Sequence, residues 1–118
     1  MTKGELAQYY YLCREIEQCE RHLAALSHAV ESGLSHSELA AVIAEQREEL
    51  QKARLKAENE KLKIIAYVNN IDDSLTRMII RYRYLGHLSW QAVAYKVGGS
   101  NTADSVRKIA YRYTKKDG

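Results

Sequence analysis

The residues best suited to chemistry lie in the stretch GGSNTADSVRKIAYRYTKK near the carboxyl end, which holds five Lys and Arg side chains. Its apolar residues recur at helical spacing. On a helical wheel at about 100° per residue, the predicted inward face comprises Val106, Ile109, Ala110 and Tyr113. The opposite pole comprises Asp104, Lys108, Tyr111 and Lys115. The outward face is therefore mostly cationic and hydrogen-bonding, which is the chemistry that contacts phosphates and base edges of DNA.

Three groups of DNA contacts are predicted. We predict that Asn101 and Thr102 cap the last helix and present its first backbone N–H groups to a phosphate. Contacts to bases or backbone are predicted for Ser105, Arg107, Lys108, Arg112 and Lys115. Contacts to flanking phosphates are predicted for Arg77, Arg81, Arg83 and Lys96.

Asp104 is the one acidic residue on this predicted surface. In the first helical turn it complements the helix dipole, which is the role we predict for it. The alternatives are that it accepts a hydrogen bond from a cytosine amino group or pairs with a neighbouring Arg.

Three predicted helices position these side chains. Asp72 or Asp73 caps the first, which Gly86 closes as its C′ residue. Ser89 caps a short helix, WQAVAYKV, whose apolar face includes Trp90 and which Gly98 ends. The last helix begins near Asn101–Thr102 and runs to about Lys115. A short helix, a glycine turn and a longer basic helix predict a helix-turn-helix.

The front of the chain has a coiled-coil period instead. One predicted seam comprises Tyr9, Leu12, Ile16, Cys19, Leu23, Leu26 and Val30, and a second comprises Leu39, Ile43, Gln46, Leu50, Ala53 and Ala57. Between them Gly33 supplies turn chemistry, and Ser35 or Ser37 caps the second helix. We therefore predict an all-α protein, with an antiparallel helical hairpin over residues 1–70 and a three-helix helix-turn-helix module over residues 71–118.

Composition and charge support this division. The chain has 118 residues, no proline and a net charge of +3. Residues 1–70 carry a net charge of −2 and residues 71–118 a net charge of +5, so a polyanionic partner is assigned to the second part.

Other classes of function find little support in the sequence. Cys13, Cys19, His22 and His28 lack four-ligand zinc spacing, and we expect a buried thiol and surface histidines rather than a metal site. No nucleophile elbow, phosphate loop or metalloprotease motif occurs, so we expect neither enzymatic activity nor a cofactor. No apolar run reaches a membrane-spanning length, and we expect a cytoplasmic protein without membrane contact.

The carboxyl-terminal stretch DDSLTRMIIRYRYLGHLSWQAVAYKVGGSNTADSVRKIAYRYTKK resembles region four of bacterial sigma factors. It is more similar still to the phage-encoded, sigma-region-four-like regulators of Firmicutes prophages. The matched positions are Arg83-Tyr84, Gly86, Leu88-Ser89-Trp90, Val93-Ala94, Val97-Gly98-Gly99, Asn101-Thr102 and Asp104-Ser105-Val106-Arg107-Lys108. The turn from Gly98 to Val106 is longer than in most sigma factors, and the phage type shares this longer turn.

The resemblance implies sequence-specific binding of double-stranded DNA and a role in phage transcription. The hairpin is predicted to mediate self-association, as a dimer, or to hold a partner such as RNA polymerase. Two alternatives are a small terminase subunit for DNA packaging and a polymerase-binding adaptor that does not touch DNA.

Overall fold

The computed structural model describes the backbone of residues 1–31 and 37–117 and the side chains of residues 1–31 and 39–115. Over these residues the chain contains five helices and no strand, so the predicted all-α class is confirmed for the described part. The helices are α1 (Lys3–Glu31), α2 (Ser37–Asn69), α3 (Ser74–Ile80, continued by a π-helical turn over Arg81–Leu85), α4 (Trp90–Val97) and α5 (Ala103–Asp117). The predicted turn at Gly33 and the predicted cap at Ser35 or Ser37 lie outside the described side chains.

The chain divides into two compact units. Met1–Tyr11 and Lys61–Gly118 form one, which we call the terminal unit, and Leu12–Glu60 forms the other, the central unit. The terminal unit contains 12 Lys and Arg against 5 Asp and Glu, a net charge of +7, while the central unit contains 6 against 10, a net charge of −4. The separation of charge is therefore stronger between these units than between residues 1–70 and 71–118.

The core of the terminal unit draws on all five helices. Its largest fully buried side chains are Leu6, Val68, Ile71, Ile79, Ile80, Val93 and Val106. Leu6 belongs to the second turn of α1 and Val68 to the last turn of α2. Because these two residues are completely buried, the first turns of α1 and the last turns of α2 are part of the hydrophobic core that α3, α4 and α5 share.

In the central unit the predicted seam of α1 is mostly confirmed. Leu12, Ile16 and Cys19 are buried, and Leu23 and Leu26 are half-buried. These five residues repeat at intervals of three and four, the spacing that keeps side chains on one helix face. Val30, the last predicted member, is exposed.

The predicted register of α2 is partly wrong. Gln46 and Ala53, both predicted for the seam, are exposed. The residues that follow them, Arg47 and Arg54, are half-buried instead. They alternate along the chain with the seam residues Ile43, Leu50 and Ala57. Leu39, also predicted for this seam, is exposed. The physical reason is that the aliphatic part of an arginine covers apolar surface while its guanidinium remains in water, so a charged residue can occupy a seam position.

Three helices begin at the caps expected from the sequence. The Asp73 carboxylate accepts hydrogen bonds from the Thr76 N–H (2.9 Å) and hydroxyl (2.7 Å), which decides between Asp72 and Asp73. The Ser89 hydroxyl accepts from the Ala92 N–H at 3.2 Å. At α5 the cap is Thr102, described below. Each cap accepts a hydrogen bond from a backbone N–H that has no partner within its helix.

The end of α3 differs from the prediction. Gly86 has a φ of −84°, so it is not a left-handed C′ residue; that conformation belongs to His87, with a φ of 54°. Because the last turn is π-helical, with the Gly86 N–H donating to the Arg81 carbonyl (2.9 Å), the chain reverses one residue later. Gly86 is required for a different reason, since a Cβ there would lie 2.7 Å from the Tyr82 carbonyl oxygen.

Candidate nucleic-acid interface

The turn between α4 and α5 depends on two glycines. Gly98 ends α4 with a φ of 77° and a ψ of −159°, and Gly99 follows with a φ of 68°. The first pair of angles is accessible almost only to glycine, because a Cβ would clash with the backbone. Helices α4 and α5 pack against each other, with Val93 and the small Ala94 buried on the facing side of α4. The predicted role of Gly98 in ending α4 is confirmed.

Asn101, Thr102 and Ser105 hold the start of α5. The Thr102 hydroxyl accepts from the Ser105 N–H at 3.1 Å, and the Ser105 hydroxyl accepts from the Thr102 N–H at 2.8 Å. This reciprocal pair has the logic of a capping box, with serine in place of the usual Glu or Gln. The Asn101 amide donates to the Gly98 carbonyl at 3.0 Å. All three predicted DNA contacts therefore also fix the position of the helix that carries the cations.

The buried face of α5 is rotated from the predicted one. Val106, Ala110 and Thr114 are fully buried, whereas Ile109 and Tyr113, both predicted to face inward, are only half-buried. At about 100° per residue, the centre of the buried face moves by roughly 50° toward Thr114. Thr114 tolerates burial because its hydroxyl donates to the Ala110 carbonyl at 3.0 Å.

Contacts of Tyr111, on the side of α5 away from Ile109, explain the rotation of the buried face. Tyr111, predicted near the outward pole, forms a T-shaped pair with the Trp90 ring, with the two centroids 5.8 Å apart. The Lys3 ammonium lies 4.0 Å from the centroid of the Tyr111 ring. A wheel drawn for α5 alone treats this flank as surface, because it contains no information on α4 or α1. Trp90 itself is half-buried rather than fully internal.

The exposed face of α5 carries Lys108, Arg112 and Lys115. These residues are four and three positions apart, so their side chains lie along one side of the helix. We call these three residues the cationic face. Opposite them lie the buried Val106, Ala110 and Thr114. Of the eleven predicted DNA contacts, these three are the exposed cations on α5.

Asp104 pairs with two cations at the start of α5. One carboxylate oxygen accepts from the Arg107 guanidinium, and the other lies 2.9 Å from the Lys108 ammonium. These hydrogen bonds hold the pKa of Asp104 below its usual value. The bond from Arg107 contributes most, and the bond from Lys108 is the second cause. Asp104 thus occupies both the dipole position that we predicted and the pairing with a neighbouring Arg that we gave as an alternative.

The flanking arginines hold loops together. Arg77 is half-buried and donates to the carbonyls of Ile71 (2.6 Å) and Asp72 (3.4 Å). The Arg83 guanidinium donates to the Leu88 carbonyl at 2.9 Å. It also lies 4.3 Å from the centroid of the Trp90 ring.

The remaining two flanking cations, Arg81 and Lys96, are exposed. Arg81 donates to the Asn69 side-chain oxygen at 2.9 Å. Lys96 lies in the last turn of α4, next to Tyr95, whose side chain is 85% exposed. Tyr95 is an exposed aromatic residue that was not among the predicted contacts.

Lys3 is the second missed residue. It lies more than a hundred positions from Tyr111 in the sequence, and no local pattern signals that the two meet. The signal that was available for Tyr95 is its place on the polar side of a short amphipathic helix.

The described side chains contain no group of three His, Cys, Asp or Glu residues arranged to hold a metal ion. Cys13 is half-buried and Cys19 is buried, and both are free thiols. Over the same part of the chain, each helix is too short or too polar to cross a lipid bilayer.

Comparison with known proteins supplies no relative from which a role could be transferred. Family models, curated proteins and solved structures gave no match to this chain.

Proposed function

We propose that this chain is a sequence-specific, double-stranded-DNA-binding regulator of phage transcription. In this proposal α4 and α5 form a helix-turn-helix, and α5 enters the major groove. The observation that carries the proposal is the division of α5 into two faces. Lys108, Arg112 and Lys115 are exposed on one side, while Val106 and Ala110 are fully buried on the other.

The two ends of α5 suit different contacts. In helix-turn-helix proteins the first turns of the second helix reach base edges, and backbone contacts lie around them. Ser105 and Lys108 lie in the first two turns of α5 and are proposed to face the bases. Arg112 and Lys115 follow one and two turns later and are proposed to contact phosphates, together with Lys96 at the end of α4.

The charge of each unit supports the same division of labour. A net charge of +7 in the terminal unit attracts a polyanion, and the helices that bear the cationic face belong to it. The central unit, at −4, is unsuited to phosphate contact. We assign it self-association as a dimer, or the binding of a protein partner such as RNA polymerase.

The test is binding of the full chain to a mixed-sequence DNA duplex and then selection of bound fragments from phage DNA. The Arg112→Ala, Lys115→Ala double variant removes two proposed phosphate contacts, so the slope of log affinity against log salt is expected to fall by about 1.8. Lys52→Ala, Lys56→Ala is the control, because it removes two exposed lysines from the central unit.

Four outcomes decide the proposal. Enrichment of promoter fragments supports it, and enrichment of a packaging site favours the terminase alternative. Capture of RNA polymerase without any affinity for DNA favours the adaptor. Equal salt slopes for the wild type and the Arg112, Lys115 double variant contradict the assigned surface.

A further inference from the structure

Lys3 brings a positive charge from the amino end of the chain to α5. It is the first residue of α1, and its ammonium lies 4.0 Å from the centroid of the Tyr111 ring. Thr2 and Lys3 line a surface hollow of about 320 Å³ with Tyr111, Thr114 and Lys115. The first turn of α1 and the last two turns of α5 therefore border the same hollow.

The contact with Tyr111 orients Lys3 without neutralising it. The face of a phenol ring attracts a cation through its quadrupole, yet the ring carries no charge. Lys108 differs, because its ammonium lies 2.9 Å from the Asp104 carboxylate and shares that negative charge with Arg107. Among the side chains of residues 1–31 and 39–115, no carboxylate forms a salt bridge with Lys3. A phosphate that approaches Lys3 thus meets a full positive charge.

The position of Tyr111 places Lys3 beside the cationic face. Tyr111 is three residues after Lys108 and four before Lys115, so all three side chains are neighbours on the surface of α5. The Tyr111 ring is 38% exposed, and Trp90 supports it edge-on from α4. The ring is therefore held from both sides, by α4 and by α1.

We infer that Lys3 is an additional phosphate contact for the DNA duplex bound by α5, and that Tyr111 is its positioning residue. This inference rests on the proposed function. A lysine ammonium is a point charge on a flexible stem, which suits a phosphate rather than the paired acceptors of a base edge. Lys3 accordingly strengthens binding to every sequence by a similar factor.

The experiment uses the full chain and a fluorescein-labelled, mixed-sequence DNA duplex, with anisotropy measured between about 50 and 200 mM KCl. Loss of one phosphate contact is expected to lower the salt slope of Lys3→Ala by about 0.9 and its affinity at 0.1 M salt by about eightfold, the counterion-release factor for one contact. Lys3→Gln is expected to behave like Lys3→Ala, and Lys3→Arg is expected to retain the wild-type slope.

Three further variants separate a local contact at Lys3 from an effect of net charge and test the role of the Tyr111 ring. Lys56→Ala removes the same charge from an exposed site in the central unit and is expected to leave the slope unchanged. Tyr111→Phe keeps the ring and is expected to bind like the wild type, whereas Tyr111→Leu is expected to lose part of the slope. Circular dichroism of each variant checks that the helices are intact.

The outcomes distinguish this inference from the proposed function. If the wild type binds the duplex but Lys3→Ala keeps its slope and affinity, the inference is overturned and the proposed function stands. Equal losses in Lys3→Ala and Lys56→Ala also overturn it, since they reflect net charge alone. If the wild type fails to bind duplex DNA, the proposed function itself is overturned, and the inference with it.

Discussion

Replacing Leu6 by alanine tests whether the start of α1 is part of the hydrophobic core of the terminal unit. The Leu6 side chain is 0% exposed. The substitution removes three carbon atoms, worth about 2.4 kcal/mol at about 0.8 kcal/mol each. The unfilled cavity adds to this, and measured Leu→Ala losses in protein cores are about 2–5 kcal/mol. We expect a decrease of about 3 kcal/mol in the free energy of unfolding.

That loss is large relative to the stability of a chain of this length. At roughly 0.05–0.15 kcal/mol per residue, the total free energy of unfolding is about 6–18 kcal/mol. With an unfolding entropy of about 2.1 cal/mol/K per residue, a loss of 3 kcal/mol lowers Tm by about 12 °C. Both quantities are accessible by circular dichroism, in a guanidinium titration and in a thermal scan.

Leu62→Ala is the matched control, because Leu62 belongs to the same terminal unit and is 60% exposed. It removes the same atoms and is expected to change the free energy of unfolding by less than about 0.5 kcal/mol. A loss below about 1 kcal/mol for Leu6→Ala, or equal losses for the two variants, would refute the conclusion that α1 completes this core.

Three other predictions concern the caps and the extent of the folded unit. Ser89→Ala removes the cap of α4 and is expected to cost about 1 kcal/mol in guanidinium unfolding, with Gln91→Ala near neutral as its control. Hydrogen bonds from Thr76, its side chain first, hold the pKa of Asp73 below its usual value. The stabilisation from this carboxylate is therefore fully present above the unfolded-state pKa and is lost as the pH falls through the lower folded-state pKa. The thermal midpoint of an Asp73→Asn variant should accordingly approach that of the wild type on acidification, and a constant difference between them would contradict this linkage. A fragment of residues 71–118 is expected to show little helical signal in circular dichroism, because it lacks buried side chains from α1 and α2; a cooperatively folded fragment would show that the module is self-sufficient.

Local sequence was sufficient for several features of the fold. The caps at Asp73, Ser89 and Thr102 and the end of α4 at Gly98 were predictable, because each depends on residues within four positions along the chain. The exposure of Lys108, Arg112 and Lys115 was predictable for the same reason, since helical periodicity alone places them on one side. The DNA contacts assigned to them remain predictions.

Only the tertiary structure decided which surfaces are covered. Periodicity located an apolar face on α5 but not its rotation, which depends on Trp90 and Lys3 lying against Tyr111. Hydrophobic periodicity also assigned Ala53 rather than Arg54 to the seam of α2. Hydropathy values treat arginine as polar and do not take into account that its aliphatic stem packs on apolar surface.

The amino acids by themselves thus determined the helices, the caps that begin α4 and α5, and the segregation of charge, because these features depend on near neighbours in the chain. They narrowed the cap of α3 only to Asp72 or Asp73 and wrongly predicted a left-handed Gly86 at its end. Lys3 meets Tyr111, which lies more than a hundred positions away, and Leu6 is buried in a unit whose second segment begins only at Lys61. Such contacts have no local signature in the sequence. An apolar or aromatic surface can be covered by any segment of complementary shape, and only the folded chain decides which segment covers it.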